Sequence, residues 1–333
     1  MNTRRLGGSP RDIEEAAAVI RAGGLAAFPT ETVYGLGADC FNEAAVRQIY
    51  VVKGRPKDNP SICHIADTGD LGVLAARITP DMERLAEIFW PGPMTMIVPK
   101  TPGVPLVTTG GLETVGVRLP RNETARALIR AAGVPIAAPS ANLSGRPSPT
   151  TADHVLSDLG GRIACVLDGG PCQVGIESTV IDMTGDQPMI LRPGYLTKAD
   201  FECALGKEVL LDPTLNIPPD PARGDFHPKA PGQKYKHYAP KAPMIIFDGS
   251  PDRVRAAIEE ERSARAARGQ LVKVIAFRED QEKDAARLFF AELRDADREG
   301  ADVILAAALP QEGLGFSVMN RMLKSAGFNV RKV

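Results

Sequence analysis

The chain has 333 residues, of which 40 are basic and 41 acidic, for a net charge of −1. This balance excludes the broad positive field with which proteins hold long nucleic acids, so anions must be bound by local clusters of cations. The length predicts about two domains. The five cysteines include no C-x-x-C pair, which argues against a disulfide framework and a zinc ribbon and favours a cytoplasmic location. We expect each cysteine to be a small apolar residue of the core.

The N-terminal region has no long apolar run, and no stretch of the chain approaches the ~20 apolar residues of a membrane span. We therefore expect neither a secretory signal nor a membrane helix. Ser9 and Pro10 predict the N-cap and the first residue of a helix, and Gly23 with Gly24 predicts its end. The short apolar strand LAAFP follows.

Helices and strands continue to residue 206. Helices are predicted at EAAVRQIYVVKG, PDMERLAEIFW and NETARALIRAAG. Strands are predicted at SICHIA, MTMIVP, TVGVRLP, PIAAP, ACVLDGG, STVIDMT and MILRPG. Together these elements predict a mixed α/β domain with a large sheet over residues 1–206.

The segment 207–242 is rich in proline and has little periodicity. A flexible tether is one interpretation. The segment also contains KYKHY, with two tyrosines and three potential cations, and loops of this length often act as lids. We favour a linker that also covers an active site.

The remaining residues, 243–333, alternate between strands and helices. PMIIFDG, VKVIAF and DVILAAAL are predicted strands, and helical stretches separate or follow them. This alternation predicts right-handed βαβ units and a small Rossmann-like parallel α/β domain. The whole chain is therefore predicted to be α/β, with a twisted mixed sheet followed by a small parallel one.

Familiar catalytic fingerprints are missing from the sequence. It contains no G-x-x-x-x-G-K-[ST], no H-E-x-x-H and no G-x-S-x-G, and YGLGADC lacks the third glycine of a dinucleotide loop. Four histidines in the whole chain argue against a multi-histidine metal site. We predict no metal held by protein ligands. Because the common nucleotide-binding motifs are missing, any nucleotide must be bound by other segments of the chain.

Polar segments that follow or precede short strands are the candidates for chemistry. FPTETVYGLGAD (28–39) offers the hydroxyls of Thr30 and Thr32, and its glycines permit close backbone approach. Its structural alternative is a turn from a strand into a helix, capped by threonines.

The segment KGRPKDNPSICH (53–64) supplies cations. Lys53, Arg55 and Lys57 could hold phosphate or carboxylate, with arginine binding in a bidentate way. A solvated charged loop is the structural alternative. For the lone His64, the alternative is a histidine satisfied within the core.

Two further segments complete the set. TVGVRLP (114–120) alternates, so Arg118 lies on the face opposite the valines, where a charge is costly unless it is paired. APSANLSGRPSPTT (138–151) is dense in hydroxyls and backbone amides that suit phosphate oxygens. Their alternatives are an exposed salt bridge and a serine-rich turn into a helix capped near Thr151. All four segments together suit a polyphosphate and a carboxylate at one site.

The motifs PTETVYGLG, KGRPKDNP, WPGPMT, VGVRLP, PSANLSGRPSPTT and GIESTVID occur in this order. They resemble the threonylcarbamoyl-AMP synthase family in its long form, which has a YrdC-type catalytic domain, a linker and a C-terminal domain. The resemblance implies synthesis of threonylcarbamoyl-AMP from L-threonine, bicarbonate and ATP with Mg²⁺, releasing pyrophosphate. It also implies downstream transferase proteins that modify tRNA, without requiring direct tRNA binding or a membrane.

The resemblance also assigns roles to residues by motif. The implied L-threonine-binding set is Thr32, His64, Arg118, Ala138 and Ser178. The implied ATP-binding set is Arg55, Asn59, Thr114, Ser140, Ser148, Arg192 and the linker residue Tyr238, which we favour over Tyr235. The implied catalytic elements, K-x-R and S-x-N, are Lys53, Arg55, Ser140 and Asn142.

Other functions remain open at this stage. A non-catalytic RNA-binding or ribosome-associated module is the main alternative, although neutral charge and 5% aromatic residues leave few stacking platforms. A carbamoyl-transfer enzyme of the hydrogenase-maturation kind would be expected to carry cysteine pairs for zinc. The C-terminal domain could bind a protein partner alongside catalysis, and its loops suggest no chemistry.

Overall fold

The computed structural model describes residues 2–218, 228–232 and 237–333. In these ranges the α-helices are α1 (Pro10–Arg21), α2 (Glu43–Lys53), α3 (Leu71–Leu74), α4 (Pro80–Phe89), α5 (Glu123–Ala132), α6 (Ala152–Leu159), α7 (Lys198–Leu205), α8 (Pro251–Ala266), α9 (Glu282–Glu299) and α10 (Gly313–Ser325). The strands are β1 (Arg4–Leu6), β2 (Ala26–Phe28), β3 (Gly35–Asp39), β4 (Ile62–His64), β5 (Met94–Pro99), β6 (Thr114–Arg118), β7 (Ile136–Ala137), β8 (Cys165–Leu167), β9 (Thr179–Asp182), β10 (Met189–Arg192), β11 (Leu210–Leu211), β12 (Met244–Asp248), β13 (Val272–Ile275), β14 (Val303–Ala307) and β15 (Val330–Lys332).

The larger sheet is mixed, as predicted. Within the described ranges its eleven strands run in the order β1-β8-β2-β3-β7-β4-β6-β5-β9-β10-β11. Strands β4 and β6 are parallel, whereas β5 and β6 are antiparallel. The β4–β6 register places His64 opposite Arg118, so two predicted site residues end neighbouring strands at the same level.

The helix boundaries follow the capping residues in the sequence. Ser9 caps α1 with a capping box, and Pro10 is its first residue, as predicted. Asn122 accepts from the backbone at the start of α5, and Gly133 ends that helix in the left-handed conformation. Gly54 ends α2 at a φ of 61°, which turns the chain into the cationic segment and places Lys53 on the last helical turn.

The turn from a strand into a helix expected in one interpretation of 28–39 is wrong, because the segment ends in the strand β3, Gly35–Asp39, which pairs antiparallel with β2. Gly35 and Gly37 are weak strand formers, so the local sequence does not predict this strand. A Cβ at Gly37 would lie 2.7 Å from a methyl of Ile136 and 2.9 Å from the ring of Phe28. Glycine is therefore required here by packing within the sheet.

Gly37→Ala is expected to destabilise the protein by about 1–3 kcal/mol, because the added methyl overpacks a buried strand. Gly72→Ala is the matched control, since a Cβ there meets nothing within 4 Å and alanine favours a helix. Urea unfolding measures both. A Gly37→Ala protein as stable as the Gly72→Ala protein would show that the neighbouring side chains move aside freely.

The smaller sheet has the order β13-β14-β12-β15, and its strand pairs are parallel. Its core includes Phe289, Phe290 and Leu293 of α9. This arrangement confirms the predicted Rossmann-like parallel α/β fold of the C-terminal part. The edge strand β15 is not expected from the sequence, because VRK is short and charged.

Most cysteines pack as expected from composition. Four are buried in the larger sheet region, namely Cys40, Cys63, Cys165 and Cys172. The expectation is wrong for Cys203, which is exposed because α7 buries Phe201 and Ala204 on its other face. Across the described ranges, no helix is long and apolar enough to cross a membrane.

Candidate active site

A hollow forms where the ends of strands in the larger sheet meet the 138–151 loop, the 53–64 segment and the linker. Its lining residues are Thr30, Thr32, Val33, Tyr34, Gly35, Lys53, Arg55, Ile62, His64, Arg118, Ala138, Pro139, Ser140, Asn142, Ser144, Gly145, Glu177, Ser178, Arg192, Pro231, Gly232, His237 and Tyr238. Segments far apart in sequence therefore converge on one space, and the four candidate segments all contribute to it.

Arg118, at the end of β6, forms a polar cluster with the turn after β2. Its Nη1 donates to Thr32 Oγ1 at 2.8 Å, and Thr32 Oγ1 lies 2.8 Å from Thr30 Oγ1. Arg118 Nη2 lies 2.7 Å from Glu31 Oε1, but neither atom has a hydrogen bond of good geometry among the described residues. The alternative of an exposed salt bridge is therefore wrong, because Arg118 forms a buried ion pair with Glu31.

His64, at the end of β4, is 4% exposed and packs edge-on against Phe28. Its Nδ1 lies 3.1 Å from the carbonyl oxygen of Ile62 and must donate to it. Burial, and to a lesser degree the charge of Arg118, lower the pKa of His64 to about 3. The ring is therefore neutral at physiological pH. It combines the packing of a core histidine with a place on the hollow's wall.

The neutral state of His64 has a consequence for stability. In the unfolded chain its pKa is ordinary, so below about pH 6.5 the unfolded state binds a proton that the folded state excludes. The free energy of unfolding should therefore fall by up to about 1.4 kcal/mol per pH unit as pH drops from 6.5 toward 4. Urea unfolding across that range measures the slope.

His64→Asn is the comparison for this slope. His154 and His237 also have lowered pKa values, mainly because of burial, and they act equally in both proteins. The difference between the two slopes therefore isolates His64. Equal slopes would mean that His64 is protonated in the folded protein.

Lys53 and Arg55 form the cationic side of the hollow. The ammonium of Lys53 donates to the backbone oxygens of Ser140 and Asn142, and Arg55 donates to those of Asn59 and Pro60. Burial and the neighbouring Arg55 lower the pKa of Lys53. Burial lowers that of Arg55 to about 10. Two cations are thus held close together by carbonyl oxygens, which leaves their charge available to an anion.

The 138–151 loop is fixed by strand-like contacts with β3. Ser140 bridges Gly35 in antiparallel fashion, and the Ser140 hydroxyl donates to the side-chain oxygen of Asn142. The amide of Asn142 in turn donates to the carbonyls of Leu143 and Arg146. The S-x-N element and the K-x-R element are therefore joined directly through Lys53.

Arg192 and Tyr238 close the remaining side. Arg192 donates to the carbonyl oxygen of Ser178 through Nε and Nη2, at 3.1 and 3.0 Å. Burial lowers its pKa to about 10. Tyr238 is buried, packs on Phe290 of α9 and has a φ of 63°, which is unusual for a bulky residue. Four described residues of the linker, Pro231, Gly232, His237 and Tyr238, therefore line the hollow. Tyr235 lies outside the described residues.

Three predicted ATP residues do not line the hollow. Asn59 is buried behind Arg55, and its side-chain oxygen has no partner among the described residues. The hydroxyl of Ser148 donates to Glu177. Thr114 begins β6, about 13 Å from Arg118 at the usual strand rise, on the side of Pro60 according to the register of β4 and β6. Asn59 and Ser148 are hydrogen-bonded to the lining residues Arg55 and Glu177, whereas Thr114 lies at the level of Pro60, whose carbonyl oxygen accepts from Arg55.

The residues that motif reasoning missed are buried charges. Glu31 pairs with Arg118, and Glu177 pairs with Arg321 of α10 at 3.0 Å. Glu31 lies in the motif PTETV and Glu177 in GIEST. A carboxylate among residues expected to be buried indicates that a cation pairs with it, and this signal was present in the sequence. Arg321 lies on the apolar face of α10, between Val318 and Met322, which was the equivalent signal for the C-terminal domain.

The charges around the hollow favour an anion but not a metal ion. Among the described residues, the lining includes four cations, Lys53, Arg55, Arg118 and Arg192, against the carboxylate of Glu177. In the same part of the chain, no group of three or more His, Cys, Asp or Glu side chains could hold a metal ion. The site is therefore suited to bind a multiply charged anion directly.

Comparison with known proteins extends this description over the whole chain. Residues 18–194 match the family described as "Telomere recombination" (Sua5_yciO_yrdC). Residues 197–327 match the family described as "Threonylcarbamoyl-AMP synthase, C-terminal domain". A threonylcarbamoyl-AMP synthase of Pyrococcus abyssi is 47% identical, with 96% of each chain covered. One from Bacillus subtilis is 44% identical, covering 98% of this chain and 96% of the relative.

Solved structures agree with these matches. The crystal structure of P. abyssi Sua5 complexed with L-threonine superposes with a TM-score of 0.94 and 45% identity, covering both chains completely. A P. abyssi Sua5 in which an adjacent histidine and tyrosine are replaced by alanine gives a TM-score of 0.93 at 45% identity, with 99% and 98% coverage. The chain therefore belongs to the threonylcarbamoyl-AMP synthase family, whose members are ATP-using transferases.

Proposed function

We propose that this chain makes L-threonylcarbamoyladenylate from L-threonine, bicarbonate and ATP, releases pyrophosphate, and does so in the hollow described above. The observation that carries the proposal is the meeting of Lys53, Arg55 and Arg192 with the polar cluster of Arg118 and Thr32 in one enclosed space. One side suits the phosphates of a nucleotide, and the other suits a small amino acid.

The amino-acid side is the cluster at the ends of β4 and β6. Arg118 keeps an Nη2 donor without a well-formed hydrogen bond, which can bind the threonine carboxylate. Ser178, whose hydroxyl lies 2.8 Å from that of Thr95, offers a buried polar contact for the threonine side chain or amine. The relative that was crystallised with L-threonine supports this assignment.

The nucleotide side is the cationic group. Lys53, Arg55 and Arg192 are buried and donate to carbonyl oxygens, so phosphate oxygens would bring the counter-charge that they lack. Ser140 and Asn142 present further polar atoms beside Lys53. The proposed roles of Asn59, Thr114 and Ser148 are to complete the nucleotide site around this group.

The proposed reaction has two steps. The threonine amine adds to bicarbonate with loss of water, giving a carbamate. A carbamate oxygen then attacks the α-phosphorus of ATP, and the bond to pyrophosphate breaks. Among the residues that the structure describes, the lining provides no dyad of general acid and base, so alignment and fixed positive charge would supply most of the acceleration. Enclosure would protect the carbamate from water.

The linker is the proposed lid. In one solved relative, an adjacent histidine and tyrosine are replaced by alanine. This sequence contains a single His–Tyr pair, His237 and Tyr238, which we take as the counterpart of that pair. The strained backbone of Tyr238 and its burial between Phe290 and the hollow support a role in closure. Substrates would enter when this segment moves away.

Mg²⁺, a partner transferase and tRNA belong to the proposal as well. The described residues offer no metal-binding cluster, so Mg²⁺ would be carried by the phosphate oxygens of ATP. The labile product would pass to a transferase that modifies tRNA in the cytoplasm, and direct binding of tRNA to this chain is not required.

The test is incubation of the protein with ATP, Mg²⁺, labelled bicarbonate and each amino acid in turn. Pyrophosphate release that depends on threonine, with label in an adenylate, is the expected result. Steeply salt-dependent RNA binding without ATP consumption would overturn the proposal and favour the RNA-binding alternative.

A further inference from the structure

Arg321 of the C-terminal domain reaches the catalytic domain. Its side chain is fully buried, its Nε donates to Glu177 Oε2 at 3.0 Å, and its Nη1 donates to the carbonyl of Pro193. The guanidinium also lies 5.9 Å from the ring centroid of Tyr238. A buried arginine is costly unless it is paired, so this contact is a specific feature of the interface between the domains.

Glu177 connects Arg321 to the nucleotide side of the hollow. Its other oxygen, Oε1, accepts from the hydroxyl of Ser148 at 2.5 Å, and Glu177 itself lines the hollow beside Ser178. The neighbouring charges of Arg321 and Arg192 lower the pKa of Glu177 against the opposing effect of burial. The carboxylate is therefore ionised and held between a cation of one domain and a hydroxyl of the other.

A second arginine of the C-terminal domain holds the same loop independently. Arg294 of α9 donates to the carbonyl oxygens of Pro147 and Ser148, at 2.6 and 3.4 Å, and pairs with the buried Asp158 at 2.9 Å. The backbone of Ser148 is thus held by Arg294, and its side chain is linked to Arg321 through Glu177. Two elements of the C-terminal domain converge on one residue of the proposed ATP site.

We propose that Arg321 is a positioning residue for ATP, which neutralises Glu177 and so fixes Ser148 at the nucleotide side of the hollow. This proposal rests on the assignment of that side to ATP under the proposed function. The C-terminal domain thereby acquires a role in nucleotide binding. Through Arg321 it supplies the positive charge that keeps the carboxylate of Glu177 from repelling the phosphates.

Removal of Arg321 should therefore weaken ATP binding in a way that depends on Glu177. In Arg321→Met, the unpaired carboxylate repels the phosphates, and we expect the Kd for ATP to rise about tenfold or more. Adding Glu177→Gln removes that charge while keeping an acceptor for Ser148, so the double variant should recover most of the affinity. Calorimetric titration with ATP measures these values without requiring turnover.

The pH dependence separates this role from a structural one. Without Arg321, the pKa of Glu177 rises, so lower pH protonates it and relieves the repulsion. The ratio of variant to wild-type Kd should therefore be larger at pH 8 than at pH 6, and this difference should vanish in the double variant. The charged or titratable groups facing Glu177 are Arg321 and Lys324 from α10, Arg192 from β10, and His237 and Tyr238 from the linker.

The matched control is Ser317→Ala, which removes a buried bond from the same helix to the carbonyl of Gly194 at 2.7 Å without touching the Glu177 side chain. Its Kd for ATP should match the wild type. If Arg321→Met does not fold, Arg321→Gln, which also removes the charge, should still raise the Kd more than Ser317→Ala. Equal values for those two variants, or a rise that neither pH nor Glu177→Gln changes, would overturn the proposal.

The same titrations separate the positioning role of Arg321 from the proposed reaction. Threonine-dependent pyrophosphate release is measured in parallel on the wild-type protein. A wild type that binds ATP with the predicted dependence on Arg321, but releases no pyrophosphate with threonine, would overturn the proposed reaction and leave the positioning role standing.

Discussion

Arg55→Ala is expected to reduce threonine-dependent pyrophosphate release by about 10²–10³, the usual effect of removing a preorganised donor from developing negative charge. Arg55 is buried at the nucleotide side, where its Nε and Nη2 donate to the carbonyl oxygens of Asn59 and Pro60. Its guanidinium is therefore free to stabilise the phosphates as pyrophosphate leaves. Release is measured from ATP at saturating threonine.

The fold should survive this substitution. Burial and the charge of Arg55 both lower the pKa of Lys53, and the second effect means that the two cations repel each other. Removing one of them relieves that repulsion and offsets the lost packing. We expect the midpoint of thermal unfolding to stay close to that of the wild type, because the repulsion between Lys53 and Arg55 destabilises the wild-type protein.

Lys57→Ala is the matched control for Arg55→Ala. Lys57 lies two residues further along the same segment but is exposed, so its removal should leave turnover nearly unchanged. If both variants keep full activity, the 53–64 segment does not take part in catalysis. If both lose it equally, the effect is one of net charge on the loop rather than of a site.

The fold could be predicted where local signals agreed with the tertiary structure. Helices α1 and α5 carry their own caps, Ser9 and Asn122, and the C-terminal alternation of strands and helices has few alternative arrangements. By contrast, the glycines of β3 fit against Phe28 and Ile136, and Ile136 is about a hundred residues away in sequence. Strand β15 likewise depends on its pairing with β12. No local pattern contains that information.

Motifs predicted many of the residues that line the hollow, but not which charged residues pair with each other. Motifs identified Arg118, Lys53 and Ser140, and the hollow includes all three. They did not identify Glu31 as the partner of Arg118, or Arg321 as the partner of Glu177. Both pairs join segments that only the folded chain brings together, and one of them crosses between domains. Charge in an apolar setting signals that a partner exists without naming it.

The partnership of Arg118 with Glu31 leads to a large expected effect on stability. Arg118→Ala should destabilise the protein by about 3–5 kcal/mol, since it leaves the buried carboxylate of Glu31 without its cation. The pair is 2.7 Å apart, and the side chains are 5% and 4% exposed. Urea unfolding at pH 7 measures the loss.

The double variant Glu31→Gln with Arg118→Met separates stability from substrate binding. A neutral buried pair is tolerated far better than a lone charge, so most of the lost stability should return. Threonine use should not return, because the cation proposed to bind the carboxylate is still missing. The KM for threonine, from pyrophosphate release, should stay at least about tenfold above that of the wild type.

Arg121→Ala is the control for both measurements, because this exposed arginine contacts Glu31 only through its backbone N–H. It should change neither stability nor the KM for threonine appreciably. A double variant that folds and uses threonine normally would remove Arg118 from the substrate site and reduce it to a structural partner of Glu31. A double variant that folds well and fails only with threonine would assign the ion pair two roles, one in the fold and one in recognition.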